Sequence, residues 1–219
     1  MRISGFPAGM FQTNCYVIAG DGTECVVVDP GQDAAAPLAQ VLDETGLRPV
    51  AVLLTHGHLD HTWNLKQVCD RYDIPVYIHP ADRHMLADPA SGIGPQLGQF
   101  ITDETFEEPD TVIELTDGEK LDLAGLEFEV LATPGHTQGS VCFHLPTETS
   151  GAEIGVVVSG DTLFAGSVGR SDLPGGDHEQ LIRSIGESLL PLDDAVAVLP
   201  GHGPATSIGA ERASNPFLS

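Results

Sequence analysis

The 219-residue sequence predicts an α/β fold in which two β-sheets pack together with helices on the outside. Three observations carry that expectation. Each half of the chain gives a run of strand-like stretches and then a helical pattern. Gly and Pro turns close most of the apolar runs. A hydrophobic fraction of 41% is ordinary for a folded chain, and the length suits one domain over residues 1–219 with a sizeable core.

Short strands are expected around 2–6, over "CYVIAG" (15–20) and over "ECVVVDPG" (24–31). An Ala- and Leu-rich helix over 33–45 is stopped by Gly46. "PVAVLL" (49–54) reads as a buried strand that delivers the chain to "THGHLDH" (55–61). The next helix, about 62–72, places Leu65, Val68, Cys69 and Tyr72 at i, i+3, i+4 and i+7. "IPVYIHP" (74–80) is a strand, whereas residues 88–111 lack periodicity and carry five acidic residues after Ile101, the pattern of a long loop or lid.

Strands resume at "TVIEL" (111–115), "EKLDL" (119–123), "LEFEVLATPG" (126–135), "GSVCFHL" (139–145) and "EIGVVVSGD" (153–161). A helix opens at Asp177, with Gln180 placed for a capping box and Leu181, Ile182, Ile185 and Leu189 on one face. "VAVLPGHG" (196–203) is the last strand and "SIGAERASN" (207–215) a short final helix.

Composition excludes several classes of function. Mean hydropathy is near zero at +0.03, and no stretch approaches the ~18 apolar residues that span a bilayer. The N-terminus lacks the apolar core of a secretory signal, so the expected compartment is the cytoplasm. A net charge of −23, from 32 acidic and 9 basic residues, repels phosphate backbones and argues against a nucleic-acid partner. Cys15, Cys25, Cys69 and Cys142 are scattered among apolar neighbours and read as buried free thiols.

"THGHLDH" gathers three of the nine histidines and an aspartate in seven residues. Three later stretches repeat the same plan of strand, Gly or Pro turn, then His or Asp: "TPGHT" (133–137), "SGD" (159–161) and "PGHG" (200–203). His56 and His58 share a face only on extended or loop backbone, and Asp60 and His61 then point elsewhere from a helix start. A motif that points two ways suits two metal ions. The candidate ligands are His56, His58, Asp60, His61, His136, Asp161 and His202, enough for two sites of about four ligands with one carboxylate shared. Nitrogen and oxygen donors without thiolate suit zinc, iron or manganese. His79, His84, His144 and His178 lack that setting and read as structural or surface residues.

These motifs resemble the metallo-β-lactamase fold superfamily across nearly the whole chain. "VVVDPG", "THGHLDH", "TPGHTQGSVCF", "VSGDTLFAGSVGRSDLPGGD" and "LPGHGPATSIGAERASNPF" occur in order. Within the superfamily the chain looks most like the short glyoxalase II-like hydrolases, which lack the C-terminal helical substrate domain of longer enzymes. The resemblance implies an αββα sandwich with the site at one edge. It also implies a first metal on His56, His58 and His136, a second on Asp60, His61 and His202, and Asp161 bridging them. Asp29 would support a ligand histidine from behind. Two divalent ions, zinc in the first place, would activate water against a small-molecule thioester, with Asp60 orienting the nucleophile.

Arg170 should lie near the metal rim, where it could bind a substrate carboxylate or instead pair with Asp172. Antibiotic-hydrolysing members with two zincs commonly have a cysteine ligand in the region of Asp161, where none of the four cysteines falls. Nuclease members carry a large inserted domain for which 219 residues leave no room, so the resemblance argues against both branches. The competing activity is a mononuclear-iron persulfide dioxygenase of the same superfamily.

Overall fold

The computed structural model describes residues 1–98, 101, 105–149, 152–153 and 155–218. Two six-stranded mixed sheets form its centre. The first contains β1 (Arg2–Ala8), β2 (Thr13–Ala19), β3 (Glu24–Val28), β4 (Arg48–Leu53), β5 (Val76–Ile78) and β6 (Val112–Glu114), in that spatial order. β1 to β3 are antiparallel hairpins and β3 to β6 are parallel. α1 (Ala35–Thr45), α2 (Leu59–Thr62), α3 (Leu65–Tyr72), α4 (Pro80–Arg83) and α5 (Ala90–Gly98) connect them.

The second half contributes β7 (Lys120–Leu123), β8 (Leu126–Ala132) and β9 (Val141–Leu145). The two-residue strands β10 (Glu148–Thr149) and β11 (Ala152–Glu153) pair with each other, and β12 (Val156–Gly160) follows. A small ribbon of β13 (Leu163–Phe164) and β14 (Ser167–Val168) precedes α6 (His178–Ser184), β15 (Ala197–Pro200), β16 (Thr206–Ser207) and α7 (Ile208–Ser214). The second sheet runs β16–β15–β12–β9–β8–β7, with β12 and β15 parallel.

Strand alternation makes the layers. Ile18, Val26, Val28 and Leu53 of the first sheet meet Phe128, Val130, Phe143 and Val158 of the second in the middle of the sandwich. The alternate residues Cys15, Val17, Val27 and Val52 turn the other way, onto Leu38 and Leu42 of α1 and Leu65, Val68 and Cys69 of α3. On the far side Cys142, Val157 and Val198 pack with Leu181 of α6, Ile185, Leu189 and Ile208 of α7. Two mixed sheets flanked by helices are the expected αββα sandwich. All four cysteines are buried free thiols, and burial pushes Cys25 and Cys142 up to about 11 and Cys69 up to about 12. Among the described residues no helix is long and apolar enough to cross a membrane.

Gly46 ends α1 in the left-handed conformation, its N–H donating to Leu42 O, as its position in the sequence suggests. Asp177 caps α6 by accepting from Gln180 N at 2.9 Å. Three expectations need correction. The helix read over 62–72 is two helices, because the chain turns at Trp63 and Asn64 and the Asn64 side chain accepts from Ala35 N. The strand read over 24–31 stops at Val28, since Asp29 takes a positive φ of 50° and turns the backbone. The stretch 88–111 is not all loop: α5 covers Ala90–Gly98, broken at Gly94 with φ 73°. Glycines 92, 94 and 98 erase the periodicity there without preventing short helical turns. Residues 99–100 and 102–104 of that stretch lie outside the described residues.

Candidate metal centre

The parallel pairs β3–β4 and β12–β15 bring strand ends together at one edge of the sandwich, the place where open α/β sheets present polar side chains. After β4 the backbone stays non-helical through His58 (φ −63°, ψ 143°), so His56 and His58 project together. The turn into α2 then redirects Asp60 and His61. His136 comes from the β8–β9 loop, Asp161 follows β12, and His202 follows β15.

All seven predicted donors meet. His58 Nδ1 lies 2.9 Å and His56 Nε2 3.2 Å from His136 Nε2. His202 Nε2 is 3.1 Å from Asp60 Oδ2, and His61 Nε2 is 3.6 Å from the same oxygen. Asp161 stands between these groups: Oδ1 is 3.3 Å from His61 Nε2, and Oδ2 is 3.7 Å from His136 Nε2 and 3.5 Å from His202 Nε2. Donors bound at 2.0–2.1 Å to a tetrahedral ion sit about 3.3 Å apart, so these spacings suit metals. His61 Nε2 and Asp161 Oδ1 are buried without a hydrogen-bond partner, which an ion between them would supply.

Outer hydrogen bonds fix which ring nitrogen faces the centre. His136 Nδ1–H donates to Arg170 O at 2.7 Å and His202 Nδ1–H to Phe11 O at 3.1 Å. His61 Nδ1–H donates to Asp29 Oδ2 at 2.9 Å, so Asp29 stands directly behind the His61 ring. Thr55 Oγ1–H also donates to Asp29 Oδ2, at 2.6 Å, which leaves its oxygen to accept from His56 Nδ1–H at 3.1 Å. Four rings therefore present Nε2 to the centre, and on His61 that nitrogen must give up a proton before it can bind a metal.

Two glycines are required by these approaches. A Cβ at Gly201 would strike Asp161 Oδ1 and lie 2.6 Å from His61 Cε1, and Gly160 combines φ 48° with the Thr55 side chain against it.

Charge is divided unevenly. Burial, and then the neighbouring imidazole of His136, push His58 down to about 3, and burial with the surrounding histidines also lowers His56. These rings remain neutral and ready to bind. Burial opposes charge on His61 too, but the carboxylates of Asp60, Asp161 and Asp29 outweigh it and hold His61 protonated well above the usual range. For Asp60 burial works upward, yet His61 and the hydrogen bond from His202 win and keep the carboxyl ionised.

A cavity of about 880 Å³ opens over the centre, reached by His58, Asp60, His136, Asp161 and His202. Arg170 lines it, but the guanidinium is held by Asp172, Nε to Oδ1 at 2.7 Å and the fork nitrogen to Oδ2 at 2.8 Å. The other histidines stay out of the centre. His79 caps α4, His84 lies in the turn after it, His178 begins α6, and buried His144 sits 3.5 Å from Glu129 Oε2.

Sequence reasoning missed Asp82. This fully buried carboxylate accepts from Gly57 N at 2.9 Å, Thr137 Oγ1 at 2.6 Å and Gly139 N at 2.8 Å, tying the His56–His58 loop to the His136 loop. It also missed Thr55 and Thr13, whose hydroxyl donates to Asp60 Oδ2 at 3.2 Å. Only the lone position of Asp82 after "YIHPA" could have hinted at a partner, and the partner is far away in sequence.

A family model described as the metallo-beta-lactamase superfamily matches residues 8–202. An uncharacterized protein of Mycobacterium leprae is 56% identical over 100% of this chain and 99% of its own length. The hydroxyacylglutathione hydrolase GloC of Haemophilus influenzae is 38% identical over 100% of this chain and 99% of its own. Among solved structures, the BLEG-1 B3 metallo-beta-lactamase is 41% identical over the whole of both chains, with a TM-score of 0.87. TTHA1623 in a di-iron-bound form is 39% identical over 96% of this chain and 97% of that one, with a TM-score of 0.77.

Proposed function

The chain belongs to the metallo-beta-lactamase superfamily, and from that membership we propose that it hydrolyses thioesters of 2-hydroxy acids with two divalent metal ions. The observation that carries the reading is the pair of donor groups meeting at Asp161 on the floor of the cavity. Full-length similarity to a hydroxyacylglutathione hydrolase supports the substrate type. His56, His58 and His136 would hold one ion, Asp60, His61 and His202 the other, and Asp161 both. The nitrogen and oxygen donors suit zinc, and a di-iron relative keeps iron as an alternative. Bound there, the ions supply Lewis acidity and water acidic enough to lose a proton near neutral pH.

The chain's own groups do the rest. Asp60, steadied by Thr13, orients the attacking water at the cavity floor. Asp29 and Thr55 hold His61 and His56 in the tautomers that face inward. The water oxygen joins the acyl carbon, the carbon–sulfur bond breaks, and its electron pair leaves with sulfur. One water proton ends on the thiol and the other in solvent.

The test is elemental analysis of the purified chain together with turnover of an S-lactoyl thioester, with His58→Ala as control. Two metals per chain and turnover lost in the variant are expected. Equal rates in wild type and variant would sink the proposal. One iron per fully loaded chain, with oxygen uptake on a thiol persulfide, would replace it with the dioxygenase reading. A second hydrolytic reading, β-lactam opening, is favoured by the 41% identical lactamase-named neighbour. The absence of a cysteine ligand does not remove it, and a chromogenic cephalosporin assayed beside the thioester decides between them.

A further inference from the structure

The cavity wall above the metal centre has a composition that bears on the leaving thiol. Met10, Phe11, Trp63, Ile93, Phe164 and Leu173 line it beside the donors. Met10 and Phe11 are 75% and 53% exposed, among the most exposed large apolar side chains of the molecule. They sit on the tip between β1 and β2, where Gln12 N donates to Gly9 O and Met10 N to Gln32 Oε1. Apolar side chains held out at a pocket mouth mark a contact surface.

Positive charge is nearly missing from the same wall. Arg170 is the one Lys or Arg among the described lining residues, and its Nε and one fork nitrogen are turned onto Asp172, which neutralises its charge locally. The sequence between Arg83 and Lys120, which supplies Ile93 and Ile101, contains no Lys or Arg at all. A carboxylate placed against apolar surface without a positive or hydrogen-bonding partner is strongly disfavoured. The chain's net charge of −23 adds long-range repulsion. Glutathione carries two carboxylates and one ammonium, so its thioester meets this wall badly. An uncharged carrier with an apolar face meets it well.

Resting on the thioester reading above, we infer that the substrate's thiol carrier is an uncharged molecule, recognised by the apolar wall and not by a carboxylate seat. The acyl carbonyl lies at the metal floor, and the carrier runs outward over Phe164 and Leu173 toward Met10 and Phe11. The specificity-determining residues are then Phe11, Leu173 and the Arg170–Asp172 pair.

The experiment compares two S-lactoyl thioesters on the metal-loaded protein, one of N-acetylcysteamine (neutral) and one of glutathione (net anionic). The neutral ester is expected to have a kcat/KM about tenfold higher or more, mostly through KM, and a rate indifferent to salt, while the glutathione ester improves as salt screens repulsion. Asp172→Asn frees Arg170 and should raise the glutathione-to-neutral ratio, whereas Phe11→Asp should cut turnover of the neutral ester. A wild-type preference for the glutathione ester, unmoved by Asp172→Asn, overturns the carrier inference and leaves the thioester reading standing. If neither ester is hydrolysed, the thioester reading fails. Calorimetric binding of the matching non-hydrolysable thioethers then still decides the carrier: tighter binding of the neutral one supports the inference, and tighter binding of the glutathione one overturns it.

Discussion

The two donor groups of the centre differ in what surrounds them. His56, His58 and His136 are 1–3% exposed, all imidazole, and held by loops that Asp82 ties together. Asp60, His61 and His202 mix charge signs, and the Asp60 and His202 side chains keep 21% and 28% exposure and line the cavity. His202 also leans on the carbonyl of Phe11, whose side chain lines that cavity. The first group is a seat set in the core, and the second is a seat built partly from the rim. Metal affinity should therefore be more secure in the first, and contact with substrate closer in the second.

The largest effect should come from erasing the difference. Asp161 is the carboxylate that reaches both groups, lying 3.3 Å from His61 Nε2, 3.7 Å from His136 Nε2 and 3.5 Å from His202 Nε2. Asp161→Ala is expected to lower metal content below two per chain and to reduce thioester kcat/KM roughly a thousandfold or more, the loss of several kcal/mol of charge stabilisation. Single-ligand variants should split the groups. His58→Ala and His202→Ala should each cost about as much activity as losing one metal, again roughly a thousandfold. Only His58→Ala should also empty the buried seat, read as the metal that remains after extensive dialysis. Equal retention in both variants would mean that the two seats are not distinct.

How much of this was legible in the sequence depends on the distance over which each residue acts. The sandwich was legible because strand alternation in "CYVIAG" and "ECVVV" and the helical spacing of Leu65, Val68 and Cys69 are local patterns. The seven donors were legible because four crowd into "THGHLDH" after one strand and the other three each follow a strand and a turn of their own. Asp82 was not, because its meaning lies in bonds to Gly57 and to Thr137 and Gly139, 25 to 57 residues away. Thr55 and Thr13 share that fault. Arg170 was half legible: its place on the rim could be inferred, but its bond to Asp172 and its backbone carbonyl's hold on His136 could not be told apart from a free guanidinium.

Those supporting carboxylates give the next comparison, since Asp82 serves the buried seat and Asp29 serves His61. Losing such a partner typically costs 10- to 100-fold in metal affinity or activity. Asp29→Asn should show a loss of about that size, with metal lost chiefly from the second seat, because His61 bonds Asp29 directly and His56 reaches it only through Thr55. Asp82→Ala leaves the buried Gly57 and Gly139 N–H groups unanswered, at about 1–3 kcal/mol each, so the fold itself should weaken. A fall in Tm of about 2–4 °C per kcal/mol is expected, together with loss from the first seat. If Asp82→Ala kept its Tm and its metals, the carboxylate would be no more than a loop residue.

The gentlest probe leaves every residue in place. A chelator reaches a metal through exposed ligands, and the two seats differ there: His56, His58 and His136 are nearly closed to solvent, while Asp60 and His202 are not. Native mass spectrometry during slow chelation should therefore show a one-metal species before the metal-free chain, the two removal rates differing several-fold. That species should resemble His202→Ala, not His58→Ala, in its thermal stability. Its activity carries the argument further, because a one-metal chain that still turned over the thioester at full rate would place the chemistry on the buried seat alone. A one-metal chain that had lost turnover, with recovery on adding metal back, would show that the rim seat completes the site although it contributes less to holding the fold together.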